Sequence, residues 1–510
     1  MQEYTTVLKD LFQKGLRPRE RFGSVNEPML TECLRLRPTE SGIRACEAVA
    51  LPGGQVWGAQ LLRGKVYTFL ASDHAVWIVD ESDWSTVQQK LHDYLTDAPS
   101  YVLPSYGGHW HMADAGKFVM LFNGEVIVFI SGAETMFAEE AKFYVVSDRT
   151  VNTGCYFKGR ILMAGFSPTD FWADAWQSTM EGLTSTLAFD ISTLMGVEKN
   201  FVYWSSIGGG NVLDIFYPER AIKGLIKEYK EGLSDPLFLD YWRRNDCGLM
   251  PATFQGGVQC LKPLGNEIVA YGEDGISIFT PATEPTPTFG VRHVASIGIH
   301  GRRAIGGTDS QHVFVDKEGV AWSLSTEGLK RLGYEEFTAG MIDETIIVTL
   351  DERNNEYYIS DGNETLLLTS QGAGKSPYHP ISLVLVEGQL AGIYNSDAST
   401  EGIVVSDIFD FKNADFKTIT TIELGMYKKE TANAYIALDY RYSGYGDFTR
   451  STWMKVNDAG WVRMQITANQ FRLCIKISDY ENFKLDYANI KWQQSGHRTI
   501  RGLHADTANA

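Results

Sequence analysis

The sequence predicts a mainly β protein: a β-propeller with a helical insertion and a C-terminal antiparallel β module. Three observations carry this reading. Short apolar runs of strand length recur along the chain. Turn residues, above all x-Gly pairs, separate them. The 510 residues include 49 Gly, 24 Tyr, 26 Phe and 12 Trp, which suits tight turns and β-favouring aromatic strands.

Residues 1–54 read as an N-terminal arm or cap, with a helix from Thr5 to Lys14 and then a basic stretch holding Arg17, Pro18, Arg19 and Arg21. From residue 55 the texture becomes strand, turn, strand. Phe118 to Phe122, Asn123-Gly124 and Val126 to Ile130 form a hairpin signature, because both residues of such a turn take positive φ. The same form returns around Lys158-Gly159, Glu273-Asp274-Gly275, Gly306-Gly307, Lys317-Glu318-Gly319, Asp361-Gly362, Glu387-Gly388 and Thr400-Glu401-Gly402. Such units cannot bury both faces alone, and radial stacking solves that problem. At roughly 40–50 residues per blade, residues 55–410 hold about six or seven blades.

Residues 216–246 break the pattern. Pro218 suits a first helical turn, and Ala221, Ile222, Leu225, Ile226 and Tyr229 form a helical apolar stripe that Gly232 and Pro236 end. This segment reads as a helical insertion. Residues 411–502 hold longer, better alternating strands, as in Trp461, Arg463 and Gln465 against Val462, Met464 and Ile466. That alternation suits a half-exposed antiparallel sheet or sandwich. Residues 503–510 read as a loose tail.

Charge and motifs narrow the function. A formal net charge of −17 works against phosphate-backbone affinity. The N-terminus lacks a basic-then-apolar signal pattern, and the apolar runs are too short to span a bilayer. Six cysteines without a C-x-x-C predict a reduced chain with no disulfide framework. His109 and His111 form an H-x-H near Asp114, but no third and fourth metal ligands accompany them. The acidic stretch from Asp351 departs from a calcium loop and reads as a hairpin turn. The Gly-rich stretches at Ser206–Gly210 and Gln371–Ser376 lack phosphate-loop spacing. Asp316 to Gly319 has the wrong spacing for a sialidase-type Asp-box, and no serine nucleophile elbow or HExxH is present. The expectation is therefore no catalytic residues, no metal and no cofactor.

Three phrases carry a family resemblance: "GCYFKGRILMAGFSPTDFWADAW" from Gly154, "NFVYWSSIGGGNVLDIF" from Asn200, and "HGRRAIGGTDSQHVFVDKEGVAWSLSTEGLKRLG" from His300. In phrase order and texture, from about 150 to 500, the chain resembles the tail hub or nozzle proteins of short-tailed, podovirus-like bacteriophages. The resemblance implies a structural virion protein, assembled in the host cytoplasm. It implies a homo-oligomeric, hexameric ring below the portal and adaptor. Such a ring encloses the DNA exit channel, retains the genome and supports fibres or spikes. DNA would pass without specific binding, and the chain would not insert in a membrane. The alternatives are a propeller-fold glycan hydrolase and a cellular ligand-binding or scaffold propeller. Within this reading, residues outside the blade pattern are the candidate assembly contacts: Arg17, Arg19 and Arg21 beside Leu11, Phe12 and Leu16, and Ile222, Leu225, Ile226, Tyr229 and Trp242 in the insertion.

Overall fold

The computed structural model describes residues 3–18, 29–47, 68–71, 76–80, 83–90, 111–114, 118–122, 127–131, 142–146, 149–165, 167–168, 199–204, 248–282, 288–342, 346–386 and 389–496. Its strands fall into consecutive up-and-down sheets. The first described sheet is three-stranded: Thr68–Ala71, Val76–Asp80 and Asp83–Lys90. Four four-stranded antiparallel sheets follow, and then four strands that open a larger sheet. Blade two is His111–Asp114, Phe118–Phe122, Ile127–Ser131 and Lys142–Val146. Blade three is Thr153–Phe157, Arg160–Ala164, Phe201–Trp204 and Gly248–Pro251. Blade four is Val258–Leu264, Glu267–Gly272, Ile276–Pro281 and Phe289–Ala295. Blade five is Ile305–Gly307, Gln311–Val315, Ala321–Ser325 and Gly328–Gly333. Blade six is Ile347–Asp351, Glu356–Ser360, Thr365–Leu368 and Ala373–Lys375.

First strands pack on first strands: blade two on three, three on four, and five on six. Apolar clusters bridge successive sheets. Phe157, Leu162 and Trp204 of blade three meet Leu261, Ile268 and Phe279 of blade four. Tyr271 and Ile278 of blade four meet Ile305, Phe314 and Leu324 of blade five. Face-to-face packing of consecutive four-stranded meanders, inner strand against inner strand, is the architecture of a β-propeller.

The hairpins form where the turn residues allow. Lys158 (φ 47°) and Gly159 (φ 81°) both sit in the left-handed region, so the turn twists with its strands. Asp316 holds the blade-five hairpin. Its Oδ1 accepts from the N–H groups of Glu318 (2.9 Å) and Val320 (2.8 Å), and its Oδ2 accepts from Trp322 Nε1 (2.7 Å). The Asp351 stretch is likewise a hairpin turn, with Asp351 Oδ1 accepting from Arg353 N at 2.9 Å. Its turn residues Glu352, Arg353 and Asn355 are exposed, while Asp351, whose carboxylate clamps the turn, is fully buried.

The chain ends differ from expectation. The expected Thr5–Lys14 helix is a strand over Glu3–Leu8 followed by one helical turn, Asp10–Lys14. Thr5, Thr6 and Val7 are β-branched and stiff, and an isolated ten-residue helix is marginal in water. Within the first 54 residues, the described segments 3–18 and 29–47 are accordingly no free arm. Glu3–Leu8 pairs with Lys484–Gly496, in register from Glu3–Gln493 to Leu8–Ala488. Leu30–Leu34 lies between Ala373–Lys375 of blade six and Gly402–Ser406.

Nor is 411–502 separate. A ten-stranded sheet runs from blade six through Leu30–Leu34 and Gly402–Ser406 to Gln470–Ile477, Ala434–Arg441 and the short edge strands Thr449–Arg450 and Met454–Lys455. A second sheet holds Leu36–Thr39, Gly42–Ala45, Lys484–Gly496, Phe416–Tyr427 and Trp461–Ala468, with Glu3–Leu8 beside Lys484–Gly496. One core joins them, with Leu11, Phe12, Leu36, Ile419, Leu438, Leu473, Ile490 and Trp492 packed together with Ile359 and Leu366 of blade six.

Candidate functional site

The sequence-derived candidates divide sharply. Arg19, Arg21, Ile222, Leu225, Ile226, Tyr229 and Trp242, the 216–246 insertion, and His109 lie outside the described residues. His111 is placed by its backbone alone, at the start of a blade-two strand. Arg17 is described, and it faces inward. Its Nε lies 3.6 Å from Glu336 Oε1 and its Nη1 3.5 Å from Asp407 Oδ2, tying the N-terminal segment to the turn after blade five and to the C-terminal sheets. Its neighbours Leu11, Phe12 and Leu16 are buried in the core. These four residues therefore hold the fold together and do not form an exposed arm.

The buried titratable groups are also structural. His312 is shared between blades: Tyr271 Oη lies 2.8 Å from its Nδ1, and its Nε2 donates to the Pro263 carbonyl at 2.9 Å. Burial, helped by Lys262, pushes it down to about 3, so it is neutral at physiological pH. The five described cysteines are free and buried, and burial pushes the Cys46 thiol up to about 12. Such thiols are poor nucleophiles. Among the described residues, no group of three His, Cys, Asp or Glu could hold a metal ion, and no helix is long and apolar enough to cross a membrane.

Several large apolar residues near the C-terminal sheets are exposed: Tyr427 and Met454 on strands, Tyr442 and Tyr445 in the turn after Ala434–Arg441. Residues 434–477 hold six Lys and Arg against three Asp, in a chain with 63 acidic and 46 basic residues. The paired strands Ala434–Arg441 and Gln470–Ile477 place three of these cations, Arg441, Arg472 and Lys476, on one face. Alternation sends Ile436, Leu438, Leu473 and Ile475 into the core, leaving Tyr435, Asp439 and Arg441 on the other face with Arg472 and Lys476.

On that face the cations lie on rings. Arg441 and Arg472 both sit over Phe448, with Cζ 4.5 and 4.4 Å from its centroid. Arg450 and Lys476 lie over Trp453, at 5.7 and 5.6 Å. Arg450 also forks onto Asp439 at 2.7 and 2.9 Å. Burial pushes the Asp439 carboxyl up, but Arg450 holds it below the usual carboxylate range. Arg441 is pinned by Gln470 Oε1 (2.7 Å) and the Gly446 carbonyl (3.2 Å). Desolvation and then the charge of Arg472 push it below its ordinary value. The buried Arg472 Nε has no hydrogen-bond partner.

Chemically, this face can dock a surface. Tyr, Trp, Met and Arg are the residues enriched at the centres of protein interfaces. Sequence reading missed it because its residues come from strands some 30 positions apart. The local excess of basic residues over Asp in 434–477 was the available signal.

No family model and no curated protein matches the chain. Solved structures give a partial likeness. Hsv2 from Kluyveromyces lactis is 7% identical with a TM-score of 0.33, covering 66% of this chain and 84% of that one. BBS1N, solved in complex with ARL6DN, is 8% identical with a TM-score of 0.36, covering 71% and 93%. Scores this low leave the architecture resting on the sheet order and packing described above.

Proposed function

We propose that this chain is a structural protein of a short phage tail. It forms a hexameric hub or nozzle ring below the portal and adaptor, encloses the DNA exit channel, retains the genome and supports fibres or spikes. It carries no catalytic activity.

One observation carries the reading: the phrases behind the resemblance coincide with whole structural units. The phrase from Gly154 contains the first hairpin of blade three, and the phrase from Asn200 contains the strand Phe201–Trp204 that pairs with it. The phrase from His300 contains all four strands of blade five. A resemblance that spans one complete blade, and a hairpin with the strand that pairs with it, reflects shared architecture better than scattered residues would. The acidic balance suits a wall past which DNA slides without sticking. The aromatic-basic face suits a subunit that must meet neighbours.

Negative-stain imaging and native mass measurement of the full chain test this. Closed rings with an axial opening are expected, alone or on addition of portal and adaptor. A chain that stays monomeric under both conditions contradicts the proposal.

A further inference from the structure

Arg441 and Arg472 form half of an ionic site. They are diagonal neighbours across one antiparallel pair, since Arg441 stands opposite Gln470 and Asp439 opposite Arg472. Phe448 gathers both guanidinium groups onto one ring. Asp439 is taken by Arg450, and no carboxylate among the described residues lies within ion-pair distance of Arg441 or Arg472. Two like charges held together around a ring repel each other. The buried Arg472 Nε–H adds an unmet donor. An oxyanion at the outer Nη edges relieves the like-charge repulsion, because a guanidinium lying flat on a ring still offers that N–H edge.

We propose that the Arg441–Phe448–Arg472 stack receives an Asp or Glu carboxylate from a second copy of this chain. This rests on the ring reading above. Charge complementarity selects the occupant. The chain as a whole carries 63 acidic against 46 basic residues, whereas residues 434–477 carry six basic against three acidic. Trp453, beneath Arg450 and Lys476, and exposed Met454 beside it are residue types of a protein interface. Nucleic acid fits less well: Phe448 and Trp453 are already covered by the chain's own cations, so bases have no open ring to stack on. Contact between unlike faces, repeated around an axis, closes a ring.

The test uses the full-length chain as wild type, Arg472→Glu, Arg441→Glu, Arg472→Met and a control, Arg463→Glu. Arg463 is exposed on the Trp461–Ala468 strand of the other sheet. Analytical ultracentrifugation reads association, and circular dichroism confirms each fold. Both Glu variants are expected to associate at least tenfold more weakly than wild type. Arg472→Met keeps the packing stem but loses the charge, and should weaken association less than Arg472→Glu does. Arg463→Glu should match wild type, and raised salt should weaken wild type toward Arg472→Glu. Wild-type rings with Arg472→Glu rings of equal stability overturn this inference and leave the ring reading standing. A wild-type monomer at all concentrations, with and without portal and adaptor, overturns both. Binding of a labelled DNA duplex by wild type, lost in Arg472→Glu, replaces the second copy with nucleic acid and overturns the inference.

Discussion

Arg37→Met is a sharp test of how the chain ends are held to the propeller. Arg37 lies on Leu36–Thr39 and reaches into blade six. Its Nη1 donates to Glu356 Oε1 and its Nη2 to Glu47 Oε1, both at 2.6 Å. Glu356 is 5% exposed, and its other oxygen has no hydrogen-bond partner. Among the described residues Arg37 is its only ion-pair partner, whereas Glu47 is shared with Arg353. Removing one partner of a buried ion pair costs about 3–5 kcal/mol, because the other charge stays buried and uncompensated.

The pH dependence follows from Glu356. Burial raises its carboxyl above the usual range against the pull of Arg37. A raised acid contributes stability that is complete below its unfolded value and is lost as pH rises through its folded value. Without Arg37 that folded value rises further, so the variant's deficit is largest at neutral pH and shrinks as pH falls toward 4.5. Urea unfolding followed by tryptophan fluorescence at pH 7.5 and pH 5 reads both effects. Arg37→Met with Glu356→Gln should recover part of the loss at pH 7.5. An Arg37→Met midpoint equal to wild type, or a deficit unchanged with pH, refutes the reasoning.

Three further outcomes are expected. His312→Gln should lose about 1–3 kcal/mol through the mismatched Tyr271 and Pro263 bonds. It should also flatten the acid limb, because a base depressed from 6.5 to about 3 contributes stability that is lost as pH falls through that interval; a pH series of melting temperatures checks this. Asp316→Ala removes acceptors for two backbone N–H groups and Trp322 Nε1, and should cost about 2–3 kcal/mol in urea unfolding. A Cβ on Gly372 would run into the Lys14 carbonyl, so Gly372→Ala should melt several degrees lower and expose the Lys14 segment to protease.

Blades were legible because their signals are local. Lys158-Gly159 and Asp361-Gly362 each lie between strands that pair with each other. What joins the ends was not legible. Glu3–Leu8 has no local signal naming Lys484–Gly496 as its neighbour; it is a mostly exposed strand held by its backbone pairing and by Tyr4 stacking on Trp492. The ten-residue pattern Thr5–Lys14 satisfied helix periodicity, and tertiary pairing overrode it. The aromatic-basic face was hidden for the same reason: Arg441, Phe448 and Arg472 meet only after the strands pair.

The pairing of Glu3–Leu8 with Lys484–Gly496 also orders events on the ribosome. At ~5–20 residues per second, the first strand emerges roughly half a minute to a minute and a half before its partner exists. Blades two to six can form during that wait, each from contiguous chain. Glu3–Leu8 cannot, and it travels as an unpaired edge that must be kept from pairing with other nascent chains. Nonsense truncations that spare every blade but stop short of residue 484 should therefore give propellers with a loose Glu3–Leu8 strand and a strong tendency to aggregate. In this chain the strand Lys484–Gly496 completes a pairing that Glu3–Leu8 has waited for through every blade.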